Sequence, residues 1–353
     1  MVNPSLLIEK MKIYGFEEDL TEWIFSYLTD RYQSVWIDHV FSDFLENSIG
    51  VPQGSNLGPL FFLIFFNDLP TFIQEDIDCY ADDSTLGATG TQVAEISTKL
   101  SSDCDQLSNW MSGNKFKLNA DKTHFLVMGT SERLQVTEQL SVNMDGVALK
   151  ESAEKSETLL GVVIQSDLKW SLQLRELTDK LKKRLTGLEK LKNIMNRFNK
   201  KNMVQGVFNS VLCYCLPLFG GCTKAEVDAL QVLQNRAARI VLNCPPRTHR
   251  NLMFDRLEWM TVQQLIGYHT LVSVFRIRKS KQPEELGVIL ASENHNGHII
   301  MKNTKLSLYR NSFVFRGALL WNKLPREIRL ETKMSQFKKH LRKWLLENID
   351  RFG

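Results

Sequence analysis

Gly50-Val-Pro-Gln-Gly-Ser-Asn-Leu-Gly-Pro59 and Cys79-Tyr-Ala-Asp-Asp-Ser-Thr85 decide how this chain is read. The first is a Gly/Pro-rich turn that runs into the apolar stretch Leu60–Phe66. The second sets two adjacent carboxylates, Asp82 and Asp83, behind a short run that ends in Tyr80. Ile77 to Leu86 reads as a β-hairpin with Ala81-Asp82-Asp83 at its tip, and Leu57 to Leu69 as a buried helix ending before Pro70. Taken singly, each has an ordinary explanation. Asp suits solvated turns, and Ser55 suits the N-cap of the helix that follows.

The rest of the chain constrains the class. With 353 residues, 43% hydrophobic and 24% charged, the chain is long enough to bury a sizeable core and too apolar for long disorder. A net charge of +4 is mild, so any nucleic-acid interface must come from local patches. The six cysteines (Cys79, Cys104, Cys213, Cys215, Cys222, Cys244) lack CxxC spacing and read as reduced, mostly buried thiols. The start, Met1-Val-Asn-Pro-Ser, has no signal-peptide pattern, and Leu60–Phe66 is too short to span a bilayer. A soluble, intracellular protein without a membrane partner is expected.

Patterning fills in the elements. Residues 5–28 read as two helices broken at Gly15, and Val35, Ile37 and Phe41 as two short strands turning near Asp38-His39. Val93, Ile96, Leu100, Cys104, Leu107 and Trp110 give an amphipathic helix over 92–112. Phe125–Met128 reads as a buried strand, Asp145-Gly146 as a hairpin turn, and Leu159–Ile164 as one strand. Leu174, Leu177, Leu181, Leu185, Leu188, Leu191 and Met195 form one long helical stripe. From Ser335 the chain reads as a basic helix with Phe337, Leu341, Trp344 and Leu345 on one face.

The two opening segments acquire chemistry when taken in order. Phosphoryl transfer to a growing strand uses two divalent ions about 3.5–4 Å apart. Mg²⁺ takes one or two carboxylates together with substrate phosphates and water, and adjacent acids at a hairpin tip meet part of that need. In Pro52-Gln53-Gly54-Ser55, Gly54 permits close backbone approach to a base or sugar, and Gln53 offers donor and acceptor. Lys122, ahead of the Phe125 strand, could reach a phosphate as a point charge. The combination points to a polymerase palm.

On these residues the chain resembles the reverse transcriptases of non-LTR (LINE-type) retrotransposons, in the Jockey/CR1-like group. Gly50–Pro70 is similar to that family's G-V-P-Q-G-S-x-L-G-P segment through Asn67-Asp68-Leu69-Pro70, and Tyr80-Ala-Asp-Asp83 to its metal motif. Asn109-Trp110, Leu118-Asn119 and Lys122-Thr123 resemble the next motif, and Leu160-Gly161-Val162 with Leu168-Lys-Trp170 the strand pair beside the primer grip. Further matches, including Leu233–Arg239 and Phe313–Pro325, extend over essentially the whole chain.

The resemblance implies an α+β fold: a partial palm, an antiparallel sheet with packed helices, followed by a mainly helical thumb and a C-terminal region. It implies a fingers/palm-like domain over 1–168, a helical thumb-like region over 169–290 and a C-terminal region with a basic amphipathic helix over 291–353. Asp82 and Asp83 would be the catalytic, metal-binding carboxylates for Mg²⁺ or Mn²⁺. Gln53, Gly54, Ser55, Tyr80 and Lys122 would contact template or nucleotide. The partners implied are an RNA template, a DNA primer and deoxynucleoside triphosphates. The family's first metal-binding Asp would fall just before Met1, so a truncated chain is expected, with a non-catalytic relic that at most binds nucleic acid as the alternative.

Weaker signals point elsewhere. Lys182, Lys183 and Arg184 on the long stripe suit a nucleic-acid backbone by their thumb-like position, and suit a solvated face interleaved with acids equally well. The cysteine spacing argues against zinc. His295 and His298 lie in a Gly/Asn loop without neighbouring acids.

Overall fold

The computed structural model describes residues 2–119, 122–135 and 140–348 and divides into two compact units: Met1–Val127 with Glu132–Ala153, and Met128–Ser131 with Glu154–Gly353. Helices dominate and the sheets are small, the α+β class expected.

The first unit opens with α1 (Pro4–Ile13), where Asn3 caps by accepting the Leu6 N–H at 3.1 Å and Pro4 stands in the first turn. Gly15, at φ +85°, ends that helix, and α2 (Glu18–Leu28) follows. Four two-residue strands form two ribbons: β1 (Tyr32–Gln33) with β4 (Leu45–Glu46), and β2 (Trp36–Ile37) with β3 (Val40–Phe41). Asp38 and His39 turn the inner ribbon with φ of +49° and +68°, the pattern of a type I′ hairpin.

α3 (Gly58–Phe66) is shorter than the sequence predicts. It stops at Phe66, and a separate 3₁₀ turn, Leu69–Phe72, takes Pro70 into its first turn, where the missing N–H costs nothing. The strands β5 (Asp76–Tyr80) and β6 (Asp83–Gly87) then form the hairpin, and α4 (Val93–Gly113) packs behind it. Leu7, Met11, Phe61, Phe65, Leu69, Leu107 and Trp110 build one aromatic-rich core.

Beyond α4, β7 (His124–Phe125) is only half-buried, and Met128 is 54% exposed, so the expected buried strand over 125–128 is not formed. The chain continues through the one-turn α5 (Ser131–Leu134) to β8 (Asn143–Met144), β9 (Val147–Ala148) and β10 (Lys150–Glu151). β8 and β9 close through Asp145 and Gly146, both at positive φ, and β10 pairs with β7 in parallel.

The second unit begins with β11 (Ser156–Leu159) and β12 (Val162–Gln165), a hairpin where the sequence suggests one strand. Leu160 and Gly161, at φ +49° and +78°, make the turn. The long α6 (Ser171–Leu191) buries Leu174, Leu177, Leu181, Leu185 and Leu188. The stripe ends earlier than predicted, because Leu191 is 37% exposed and Met195 lies beyond the helix.

Next come α7 (Arg197–Met203), a π-helical turn, the one-turn α8 (Ser210–Leu212), α9 (Lys224–Leu242) and α10 (Arg250–Leu257). α9 packs on α6 and carries a Thr223/Glu226 capping box. A second core joins α11 (Val262–Ser280), α12 (Glu284–Ala291), α14 (Phe313–Asn322), α15 (Arg326–Arg329) and α16 (Met334–Glu347), while the short α13 (Ser307–Asn311) buries no residue. Phe337, Leu341 and Leu345 on α16 are fully buried there, on the face the sequence marks.

Candidate functional site

The β5–β6 ladder pairs Asp76 with Gly87, Ile77 with Leu86, Asp78 with Thr85, Cys79 with Ser84 and Tyr80 with Asp83. Directly opposed residues share a face. Ile77 and Leu86 lean on the first core, while Tyr80 and Asp83 stand together in solvent, Tyr80 at 66% exposure. Ala81 and Asp82 form the two-residue tip, and Ala81 holds φ +54°, uncommon for a residue with a side chain. Asp82 and Asp83 are both exposed, and neither carboxylate has a hydrogen-bond or ion-pair partner among the described residues.

The Gly/Pro segment is a tight turn. Ser55 N–H donates to Pro52 C=O at 3.2 Å, and Gly54 at φ +81° supplies the left-handed third position of a type II turn. Gln53 and Gly54 are exposed at its apex. Leu57, not Ser55, holds the N-cap position of α3, but Ser55 Oγ accepts the Gly58 N–H at 2.9 Å and so satisfies the first amide of the helix. Gly58 is buried, and a Cβ there would come within 3.2 Å of Val51 and 3.3 Å of Ser55 Oγ. Val51 and Leu57 rest on the same core as Ile77 and Leu86, so one hydrophobic base carries both the turn and the hairpin.

Three polar residues that sequence reasoning did not single out hold the flanks of these motifs. Arg31 donates to the carbonyls of Leu28 at 2.9 Å and Gly50 at 2.7 Å, fixing the start of the turn. Lys10 Nζ donates to Phe65 C=O at 2.8 Å and to Asp68 Oδ1 at 2.7 Å, and lies 4.5 Å from the Phe65 ring centroid and 4.6 Å from that of Trp110. Burial lowers the Lys10 pKa, against the opposing pull of Asp68. Asp103, 1% exposed on α4, accepts the N–H groups of Gln74 at 3.1 Å and Glu75 at 2.9 Å, just ahead of β5. The available signal is a charge on an apolar stripe: Lys10 between Leu7 and Met11, Asp103 between Leu100 and Leu107.

Lys122 is exposed at the start of the segment leading into β7, with its N–H donating to Asn119 C=O at 3.0 Å. Ala120 and Asp121 of the same motif lie outside the described residues. On α6 in the second unit, Lys182, Lys183 and Arg184 are exposed. Lys182 is paired with Asp179 at 3.4 Å, and Arg184 donates to Val207 C=O at 2.6 Å.

The thiols are free. Cys104 alone is buried and Cys79 is exposed, which corrects the expectation of mostly buried cysteines. Burial pushes the Cys104 and Cys213 thiols up to about 11 and Cys222 to about 12, so they stay protonated near neutral pH and make poor metal ligands.

Asp82 and Asp83 offer hard oxygen donors of the kind Mg²⁺ prefers. Among the described residues no third His, Cys, Asp or Glu joins them in a group able to hold a metal. The pair therefore fits part of one ion's shell, the remainder being left to phosphate oxygens and water.

Residues 1–164 match the family model described as reverse transcriptase (RNA-dependent DNA polymerase), which supports the resemblance to LINE-type elements. It is 27% identical over 265 residues to the probable RNA-directed DNA polymerase from transposon BS of Drosophila melanogaster, covering 72% of this chain and 29% of that protein. It is 22% identical over 254 residues to the RNA-directed DNA polymerase from mobile element jockey of the same fly, covering 69% of this chain and 27% of that protein. The chain thus spans under a third of the length of these relatives. No helix among the described residues is long and apolar enough to cross a membrane.

Proposed function

We propose that this chain contributes to RNA-directed DNA synthesis, with Asp82 and Asp83 as its metal-binding carboxylates. The observation that carries the reading is the β5–β6 tip, where two unpartnered, exposed carboxylates sit on a short turn fixed to a rigid core. A divalent ion bound there would supply electrostatic stabilisation of transferring phosphate oxygens. Tyr80, opposed to Asp83 on the same face, offers a flat aromatic surface for the sugar or base at a primer end. The Gln53 amide and the Gly54 backbone are presented for template or incoming nucleotide, and Lys122 for the nucleotide's phosphates. Residues 1–168 would act as the fingers/palm-like part and 169–290 as the thumb, where Lys182, Lys183 and Arg184 face the strand's backbone. Residues 291–353 form the C-terminal region.

Primer extension on an RNA template with deoxynucleoside triphosphates and Mg²⁺ or Mn²⁺ tests the reading. Incorporation by the full chain, abolished in Asp82→Asn and Asp83→Asn, is the expected result. Salt-sensitive RNA binding without any incorporation would overturn the catalytic reading in favour of nucleic-acid binding alone.

A further inference from the structure

A cavity of about 510 Å³ in the second unit lies among α11, the loop after α12, α14 and α15, away from every residue assigned a role above. Four cations line it, Arg278, Lys279, Arg326 and Arg329, against the carboxylates of Glu293 and Glu331. Both carboxylates are already engaged. Glu293 accepts from Arg278 at 2.5 Å, and Glu331 lies 2.6 Å from His340 Nδ1. Arg278 also donates to the Leu290 carbonyl and sits 4.9 Å over the Trp321 ring.

Lys279, Arg326 and Arg329 have no carboxylate within ion-pair distance among the described residues. Arg329 gives one N–H to Asn296 C=O at 3.0 Å, yet its Nε is buried without a partner. The indole N–H of Trp321, a residue 2% exposed on the cavity wall, is likewise buried and unpartnered. Burial, and then the neighbouring charge of Arg326, pull the Arg329 pKa below its ordinary value against the opposing pull of Glu293. Cations that line a cavity without an ion-pair partner have a common remedy, an anion rich in acceptor oxygens.

We propose that this cavity binds a phosphate group, with Arg326 and Arg329 gripping its oxygens and Lys279 neutralising the remaining charge. Three cations outside ion-pair distance of a carboxylate favour a multiply charged anion over a single carboxylate, and a guanidinium fork matches phosphate geometry. The volume exceeds one phosphate, so the group can belong to a phosphodiester chain or to a free polyphosphate.

Titration calorimetry of the full chain in metal-free buffer, with sodium tripolyphosphate and separately with single-stranded oligothymidylate, tests this. The parent should bind at least one of the two probes. Arg326→Gln, an exposed position whose side chain has no hydrogen bond among the described residues, should weaken that binding about tenfold, and Arg326→Gln/Arg329→Gln further. Lys339→Gln, outside the cavity, should leave it within about twofold. Oligothymidylate binding displaced by tripolyphosphate identifies a phosphodiester ligand, and tripolyphosphate binding alone identifies a free polyphosphate. No heat with either probe, or the same affinity in Arg326→Gln as in the parent, overturns the proposal.

Discussion

Asp103→Asn tests whether the carboxylate-tipped hairpin is held from outside. The Asp103 carboxylate accepts two backbone N–H groups, from Gln74 at 3.1 Å and Glu75 at 2.9 Å, while itself 1% exposed. A hydrogen bond to a charged group contributes about 1.5–3 kcal/mol when buried. Gln74 is exposed and Glu75 only half-buried, so water recovers part of the loss. Asn keeps one acceptor and turns an amide N–H toward the second donor. We therefore take about 2 kcal/mol as the cost, below the sum of two fully buried bonds.

The chain has two compact units, so a single global unfolding transition is not the right readout. Amide hydrogen exchange is local. A loss of about 2 kcal/mol corresponds to roughly 30-fold faster exchange. That acceleration should appear at Gln74 and Glu75 and spread into β5, while the buried face of α6 in the other unit keeps parental rates. Exchange within about twofold of the parent at these amides would refute the positioning role, since the two bonds would then contribute almost nothing.

Two further outcomes follow from the turn and from Lys10. Gly54→Ala meets no atom within 4 Å, so its cost is the left-handed backbone alone, about 1–2 kcal/mol, and Gly54→Asn should cost less; exchange at the Ser55 amide, which closes the turn, ranks them. The Lys10 pKa is lowered in the folded chain, so between that value and 10.5 the unfolded state binds more protons and stability rises with pH. Urea midpoints of the first unit should show that alkaline rise, and Lys10→Met should flatten it relative to the parent.

The turns of this fold are legible in sequence, and the anchors are not. Asp38-His39 and Asp145-Gly146 announce left-handed positions by composition, and both make the hairpins expected of them. The 3–4 spacing of Ile96, Leu100, Cys104, Leu107 and Trp110 gives α4 nearly to its ends. Leu159–Ile164 reads as one strand because Leu160 carries no turn signature, and only Gly161 hinted at the reversal. At the site, Asp82, Asp83, Gln53 and Gly54 stand out because short polar or flexible residues interrupt apolar runs. Lys10, Arg31 and Asp103 act on backbone atoms far along the chain, Lys10 on Phe65 55 residues away and Asp103 on Gln74 29 residues away. No local pattern encodes such a bond. For Lys10 and Asp103 a charge on a buried stripe is the trace it leaves, and Arg31, in a loop, leaves none.

Those anchors explain how a two-stranded ribbon can carry a candidate site at all. An isolated hairpin is marginally stable in water, and β5–β6 pairs with no third strand among the described residues. Its inner face contributes only Ile77 and Leu86 to the core. What remains must come from its ends: Asp103 fixes the backbone entering β5, Lys10 ties the end of α3 to Asp68 just upstream, and Arg31 fixes Gly50 where the turn begins. Lys10 and Asp103 bond outward from helices and Arg31 from the loop after α2, so none requires the hairpin to have found a sheet partner. The tip itself is left free of such bonds, with Asp82 and Asp83 unpartnered among the described residues and Ala81 in a left-handed conformation. Rigid flanks around an unsatisfied acidic tip are the arrangement expected where the carboxylates' partner is a bound ligand rather than the protein.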